Sequence, residues 1–285
     1  MNDERGCLTC YTRRRIANRS LPTTHCQPVR AAFALIFASQ GTIAHGMGQA
    51  MAHALDSLFP CVCVLCDAPG QTLCKACRHE ATRGIGIGAA CPRCAIPLSD
   101  GSHLCGRCLK RPPAFDASVA AAVYQGPFDV LVRSLKYSAH LAYAPLLAAL
   151  LHERIECCTD STSPRAFDLL IPVPLSRDRM ASRGFNQSIE IARPLAKRMK
   201  VPLDTTSVLR IRDTPPQAAL PFDARRKNIR GAFAVIDSRR SMLEGLSVGI
   251  VDDVMTTGST LDELAATLKR AGVARVVNLV VARTP

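Results

Sequence analysis

Four Cys-x-x-Cys pairs in one stretch of the 285-residue chain have the spacing of metal ligands. Two intervening residues allow both sulfurs of a tight turn to face one ion, and two such turns complete the four thiolates that structural zinc prefers. Eight thiolates therefore predict one or two structural zinc ions in closed sites, which leave no position open for catalysis. The predicted ligands are Cys63, Cys66, Cys74, Cys77, Cys91, Cys94, Cys105 and Cys108.

The pairing of these turns has two solutions. Sequential pairing, which is the simpler one, places the first four cysteines on one ion and the last four on another. Crossed pairing stays open because the loops between the turns are short for a zinc ribbon. Disulfides or redox dithiols are the competing interpretation, but redox Cys-x-x-Cys motifs usually occur singly in a βαβ context. The region lacks that context, so the sequence favours metal.

A second functional motif lies near the carboxyl end of the chain. The apolar stretch 248–251 leads directly into two acids, and a loop of small hydroxyl residues and glycine follows. Hydroxyls and backbone N–H groups at a helix N-terminus suit a phosphate, Gly258 permits close approach of the backbone, and adjacent carboxylates suit vicinal hydroxyls or a divalent cation. The motif predicts a ligand that carries a sugar and a phosphate, bound by Asp252, Asp253, Thr256, Thr257, Gly258, Ser259 and Thr260.

The same stretch has a purely structural interpretation. Thr260 and Glu263 have the spacing of a capping box, and Asp262 and Glu263 would complement the dipole of the following helix. This interpretation explains why a helix starts here, but it gives no reason for the acid pair beside the hydroxyl residues. The sequence therefore favours a sugar-phosphate ligand.

These motifs need a scaffold, and the pattern after residue 116 predicts one. Short apolar stretches alternate with segments of helical period, which is typical of an α/β domain with a largely parallel sheet. Ligands of such sheets bind beyond the carboxyl ends of the strands, where the acid pair is expected. The predicted strands are 119–124, 169–173, 248–251 and 276–281, and the predicted helices are 128–137, 142–156, 186–199 (kinked at Pro194) and 260–271.

Cysteine density divides the chain into three expected parts. Residues 1–50 are irregular, and one hypothesis is that translation starts at Met47 or Met51. Residues 55–112 form the zinc-ribbon region, and 116–285 form the α/β domain.

Composition narrows the class of protein. The longest apolar run has eight residues. A membrane-spanning helix needs about 20 apolar residues, so no membrane insertion is expected. Metal-binding thiols need a reducing compartment, which predicts the cytoplasm. The formal net charge of +13 favours phosphorylated or polyanionic partners, although a solvated basic surface is an equally simple explanation.

The motif at 248–260 resembles the phosphoribosyl pyrophosphate (PRPP) motif of type I phosphoribosyltransferases. Together with the cysteine pairs, it makes the chain similar to the ComF/GntX-type family over roughly residues 55–283. The resemblance implies a type I phosphoribosyltransferase fold preceded by a double zinc ribbon. Further similar stretches are 135–137, 173–175, 183–187 and 217–228.

The resemblance also implies roles for individual residues. Asp252 and Asp253 would hold the ribose hydroxyls as the catalytic pair, with Mg2+ nearby, and 256–260 would cradle the 5′-phosphate. The turn at 173–176 would lie near the pyrophosphate, and 212–230 would form a loop that closes over the site. The basic residues implied as phosphate contacts are Lys136, Arg183, Arg225 and Lys227.

Two functions follow from this resemblance as expectations. The first is a phosphoribosyltransferase (a glycosyltransferase) that binds PRPP with Mg2+ and transfers a phosphoribosyl group to an unidentified acceptor. The alternative is a non-catalytic PRPP-binding competence factor, whose partners would be single-stranded DNA and the DNA-uptake machinery. A redox or metal-storage protein is the least favoured interpretation.

Overall fold

The computed structural model describes residues 62–82, 85, 90–98, 103–137, 141–158, 167–213 and 228–285, with the backbone alone at 127, 136 and 137. The chain divides into two compact units, Met1–Ala81 and Thr82–Pro285. The expected irregular segment 1–50, with Met47, and the second hypothetical start Met51 lie outside the described residues. Among the described helices, none combines the length and hydropathy that a membrane span requires.

In the first unit, a tight turn carries the first cysteine pair. An antiparallel bridge joins Val62 to Pro69, and the N–H of Asp67 donates to the carbonyl of Cys63 (2.8 Å). Asp67 has a left-handed backbone (φ 60°), a conformation that Asp tolerates better than most residues. Helix α1 (Lys75–Thr82) follows and carries one cysteine of the second pair.

The second unit begins with the same local arrangement. A bridge joins Ala90 to Pro97, the N–H of Ala95 donates to the carbonyl of Cys91 (2.7 Å), and Ala95 has a φ of 53°. Helix α2 (Gly106–Lys110) follows, with Cys105 at its N-cap. The two ribbons are therefore one turn design that occurs twice in the chain.

A parallel sheet follows the second ribbon. The α-helices and β-strands after α2 are, in chain order, β1 (Ala117–Val123), α3 (Pro127–Tyr137), α4 (Ala144–Cys158), β2 (Leu169–Pro172), α5 (Arg177–Arg183), α6 (Gln187–Met199), β3 (Val208–Arg210), β4 (Phe233–Val235), α7 (Arg240–Leu243), β5 (Ser247–Met255), α8 (Ser259–Arg270) and β6 (Arg275–Arg283). Four strands pair in the order β1-β6-β5-β2, and all three pairings are parallel. The predicted, largely parallel α/β fold is confirmed. Strands β3 and β4 form a separate antiparallel pair.

Strand β5 is longer than its apolar stretch predicted. The prediction ended it at residue 251, but pairing with β6 continues from Asp252 opposite Val280 to Met255 opposite Arg283. The long neighbouring strand satisfies the backbone groups here, so the strand does not need apolar side chains to persist. As a result, the acid pair belongs to the strand itself, and the following turn is only 256–258.

The central strands are buried on both faces, as is usual for parallel sheets covered by helices. Val276 and Val280 of β6 lie in one apolar cluster with Leu264 of α8, while α4 and α6 pack on each other and on the sheet. Gly249 in β5 makes this packing close, because a Cβ there would lie 2.7 Å from Cδ2 of Leu170.

Candidate functional site

The eight predicted metal ligands form two tetrads in sequential order. In each tetrad, the four sulfur atoms lie within 4.8 Å of one another, so the crossed pairing is not the one that the structure adopts. Four converging thiols without an open position fit structural zinc. The first tetrad is Cys63, Cys66, Cys74 and Cys77, and the second is Cys91, Cys94, Cys105 and Cys108.

Backbone N–H groups point at the sulfur atoms of the tetrads. In the second tetrad, the N–H of Cys105 donates to Sγ of Cys91 (3.5 Å), and the N–H of Cys108 donates to Sγ of Cys105 (3.4 Å). Burial raises the pKa of Cys91, but N–H donors including those of Cys105 and Cys94 outweigh burial and lower this pKa to about 7. Donors of this kind stabilise the thiolate, which is the form that binds metal.

The acid pair lies at the carboxyl end of β5 and is held by hydrogen bonds. Asp253 is buried (4% exposed), and Asp252 is half-buried. Oδ1 of Asp252 accepts from the hydroxyl of Ser188 (3.0 Å) and from the N–H of Asp253 (2.9 Å). Oδ1 of Asp253 accepts from the N–H of Val254 (2.6 Å). These bonds fix both carboxylates at the end of the strand, where a ligand of a parallel sheet is expected.

The turn between β5 and α8 is compact because of its glycine. Gly258 has a left-handed backbone (φ 78°) and is the N-cap of α8, and a Cβ on it would lie 2.6 Å from Cε of Met255. The hydroxyls of Thr257 and Ser259 lie 2.9 Å apart. Hydroxyls and N–H groups therefore converge where a helix starts, which is a suitable arrangement for an anion. In the predicted cradle, Thr256 is exposed, Thr257 and Thr260 are half-buried, and Gly258 and Ser259 are buried.

The capping-box interpretation of this turn is wrong. Gly258 supplies no side-chain cap. Oε1 of Glu263 instead accepts from the N–H of Gly231 (2.9 Å), and Oδ1 of Asp262 accepts from the N–H of Ala114 (2.7 Å). Both carboxylates therefore accept hydrogen bonds from backbone N–H groups that are distant in sequence.

The start of α6 connects the ends of two strands. The side chain of Asn186 accepts from the N–H of Ser188 (2.9 Å) and donates to the carbonyl of Val173 (3.0 Å), which follows β2. Ser188 in turn donates to Asp252 at the end of β5. The stretch that resembled the family at 183–187 is thus adjacent to the acid pair.

Of the four basic residues implied as phosphate contacts, one has a described side chain. Arg183, the last residue of α5, donates to Oε1 of Gln187 at the start of α6. Lys136 belongs to α3, but its side chain lies outside the described residues, as do Arg225 and Lys227 entirely.

Comparison with known proteins identifies the family. Residues 54–109 match the double zinc ribbon domain family, and residues 186–285 match the phosphoribosyl transferase domain family. The "DNA utilization protein YhgH" of Salmonella typhimurium is 34% identical over 221 residues, which cover 76% of this chain and 94% of the relative. "Competence protein F" of Haemophilus influenzae is 30% identical over 204 residues, which cover 72% of this chain and 87% of the relative. The chain belongs to the ComF-type family.

Solved structures overlap this ComF-type chain less well. The glutamine PRPP amidotransferase from B. subtilis, complexed with ADP and GMP, is 22% identical. The overlap covers 48% of this chain and 26% of that chain with a TM-score of 0.31. At that TM-score the likeness supports no conclusion.

One cationic residue near the acid pair of this ComF-type protein, Arg210, was not predicted from the sequence. Burial, and then the charge of Arg179, lower the pKa of Arg210 to about 10, while Asp213 and Asp252 act in the opposite direction. Its guanidinium lies 5.7 Å from the centre of the Phe233 ring. The pairing of β3 with β4 places Arg210 at this position, and no sequence motif predicts that pairing. Most of the implied closing loop 212–230 lies outside the described residues.

Asp252 and Asp253 do not belong to a larger cluster of Cys, His, Asp or Glu ligands in the described part of the chain. The groups of three or more Cys, His, Asp or Glu ligands found there are the two cysteine tetrads. Mg2+ usually takes one or two carboxylates together with phosphate oxygens and water. Asp252 and Asp253 therefore fit an ion that arrives with a phosphosugar.

Proposed function

We propose that this protein binds PRPP with Mg2+ at the carboxyl end of β5 and transfers the phosphoribosyl group to an acceptor. The observation that carries the proposal is the buried Asp253, with Asp252 beside it, one short turn before a glycine-capped helix. Acids that are fixed by hydrogen bonds suit the two ribose hydroxyls, and the helix start suits the 5′-phosphate. The phosphoribosyl transferase domain match at 186–285 supports the same assignment.

The proposed chemistry requires charge of both signs. When pyrophosphate leaves the anomeric carbon, positive charge develops on the ribose ring and negative charge on the leaving group. Asp252 and Asp253 would orient the ring and favour the developing cation, while residues 256–260 would hold the 5′-phosphate. Arg183 and, from the segment 212–230, Arg225 and Lys227 are the proposed contacts of the pyrophosphate, and Lys136 is a further proposed phosphate contact. Mg2+ would neutralise charge on the departing oxygens.

The arrangement along the chain is part of the proposal. A ribbon region at 55–112 would precede a phosphoribosyltransferase-type domain at 116–285. We also propose the cytoplasm as its location, because thiolate ligands of zinc persist in a reducing compartment.

The decisive experiment is titration calorimetry with PRPP and Mg2+. Wild-type protein should bind, and Asp253→Asn should bind at least about tenfold more weakly, because a charge-assisted hydrogen bond contributes roughly 1.5–3 kcal/mol. Asp237→Asn is the matched control, since its side chain is 95% exposed and lies in a different segment. Pyrophosphate release should then be assayed with a panel of nucleobases and amines. Absence of PRPP binding by the wild type would overturn the proposal.

The second candidate function is single-stranded DNA handling without catalysis. The net charge of +13 favours it, and the relatives named for DNA utilization and competence point the same way. DNA affinity that falls steeply with salt and persists in Asp252→Asn and Asp253→Asn, with no pyrophosphate release from PRPP, would favour this candidate over the enzyme.

A further inference from the structure

We propose that the second zinc ribbon is part of the phosphate site and that Arg107 of this ribbon binds the 5′-phosphate. This inference rests on the proposed function. It adds a ligand contact from outside the phosphoribosyltransferase motif and gives the second ribbon a role beyond folding.

The first observation is proximity to the turn before α8. A Cβ placed on Gly258 would lie 3.8 Å from Nη2 of Arg107 and 2.6 Å from Cε of Met255. Arg107 is half-buried in α2, between the last two cysteines of the second tetrad. Its guanidinium therefore lies next to the backbone that is proposed to hold the phosphate. Arginine presents a planar fork of donors that matches phosphate oxygens.

The second observation is that the ribbon design does not need an arginine at this position. The second cysteine pairs of the two ribbons align in sequence, Cys74-Lys75-Ala76-Cys77 with Cys105-Gly106-Arg107-Cys108. The first sulfur atom of each of these pairs accepts an equivalent backbone hydrogen bond. The first ribbon has Ala76 where the second has Arg107. The arginine is therefore explained by what lies near the second ribbon rather than by zinc binding.

The third observation is a buried brace between the second ribbon and the same turn. Arg283, at the end of β6, is 1% exposed. Its Nε donates to the carbonyl of Cys94 (2.8 Å), and its Nη1 donates to the carbonyl of Met255 (3.2 Å). One guanidinium thus joins a metal-binding turn to the residue at which β5 ends. The N–H of Ala114, just after the ribbon, donates to Oδ1 of Asp262 in α8 (2.7 Å) and makes a second link, to the helix that follows the same turn.

The local charges complete the argument. Arg107 and Arg283 both lie at this turn, since Nη2 of Arg107 approaches Gly258 and Nη1 of Arg283 donates to the carbonyl of Met255. The positive end of the α8 dipole begins at Gly258, beside them. A phosphate dianion at the turn would be attracted by both guanidiniums.

The test measures binding of two ligands to three variants of the full chain. Ribose 5-phosphate and PRPP with Mg2+ share the 5′-phosphate and differ in the pyrophosphate. Arg107→Ala should weaken both by a similar factor, roughly 10- to 100-fold, as expected for a lost charge-assisted bond. Arg107→Lys should lie between Arg107→Ala and wild type because it keeps the charge and loses the fork. Arg111→Ala, an exposed arginine four residues further on, should bind like wild type.

The outcomes separate this inference from the proposed function. If Asp253→Asn abolishes binding while Arg107→Ala and Arg111→Ala bind equally well, the inference is wrong and the proposed function stands. A loss confined to PRPP would also overturn the inference, since it would move Arg107 to the pyrophosphate. If the wild type binds neither ligand, both proposals fail. Zinc content and far-UV circular dichroism should match wild type, because Ala76 shows that alanine suits this position; if Arg107→Ala loses zinc, Arg107→Lys decides.

Discussion

The two zinc ribbons have the same local structure, but they belong to different compact units. Each has an antiparallel bridge, a left-handed residue four positions after the first cysteine and a helix that starts after the third cysteine. The third and fourth cysteines also make the same N–H to sulfur bonds in both. Local geometry is therefore set by the cysteine spacing and the turn, and it is insensitive to the rest of the fold.

The second ribbon packs into the apolar core of its own unit. Cys91, Cys94 and Cys108 belong to one apolar cluster with Phe115 and with Met255 of β5. Backbone contacts extend this attachment, since the N–H of Ser118 in β1 donates to the carbonyl of Pro92 (3.0 Å). One zinc-binding design therefore occurs twice in this chain, and its second copy is part of the core of the parallel-sheet unit.

The largest effect is expected from removing equivalent ligands of the two tetrads. Cys94→Ser should cost more than about 4 kcal/mol of the unfolding free energy of the second unit, because it removes a structural metal from the core of that unit. Cys66→Ser should also remove one zinc, but it should affect the melting of the parallel-sheet unit much less. Zinc stoichiometry and differential scanning calorimetry would measure both. Equal destabilisation of the parallel sheet by the two variants would show that the ribbons do not differ as described.

A smaller loss is expected from breaking the brace alone. Arg283→Met should lower the unfolding free energy by about 2–4 kcal/mol, because the carbonyls of Cys94 and Met255 lose a buried charged donor. Arg275→Met is the control at the exposed start of the same strand and should change stability by less than about 0.5 kcal/mol. Urea unfolding measures the difference. If both variants unfold alike, the contact of Arg283 with the second ribbon contributes no stability.

The smallest effect on stability, and the sharpest on the ligand, is expected at the turn. Gly258→Ala should cost about 1–2 kcal/mol because its backbone is left-handed, and the added methyl group should weaken ribose 5-phosphate binding. Gly245→Ala is a matched control, since Gly245 has a similar φ of 74° and no atom within 4 Å of an added Cβ. It should show the backbone part of the stability loss alone, which is smaller than the loss in Gly258→Ala, and no loss of binding. Unchanged ligand affinity in Gly258→Ala would remove the turn from the proposed site.

Part of the site could be predicted because its signals are local. The acid pair, the hydroxyl turn and Gly258 are consecutive in sequence, so a strand-turn-helix pattern was sufficient to find them. The length of β5 was underestimated, because its last residues are held by pairing with β6 rather than by apolar side chains. Asp262 and Glu263 looked like helix-start residues, and their actual partners, Ala114 and Gly231, are far away in sequence.

The two cysteine tetrads and the acid pair before the hydroxyl turn could be predicted from the sequence, because they depend on spacings of a few residues that the local backbone geometry fixes. The proximity of Arg107 to Gly258, and the hydrogen bonds by which Arg283 joins a cysteine turn to the end of β5, are visible only in the folded structure. These contacts join residues up to 189 positions apart. Sheet pairing and core packing bring such residues together, and a local sequence pattern does not predict contacts of this kind.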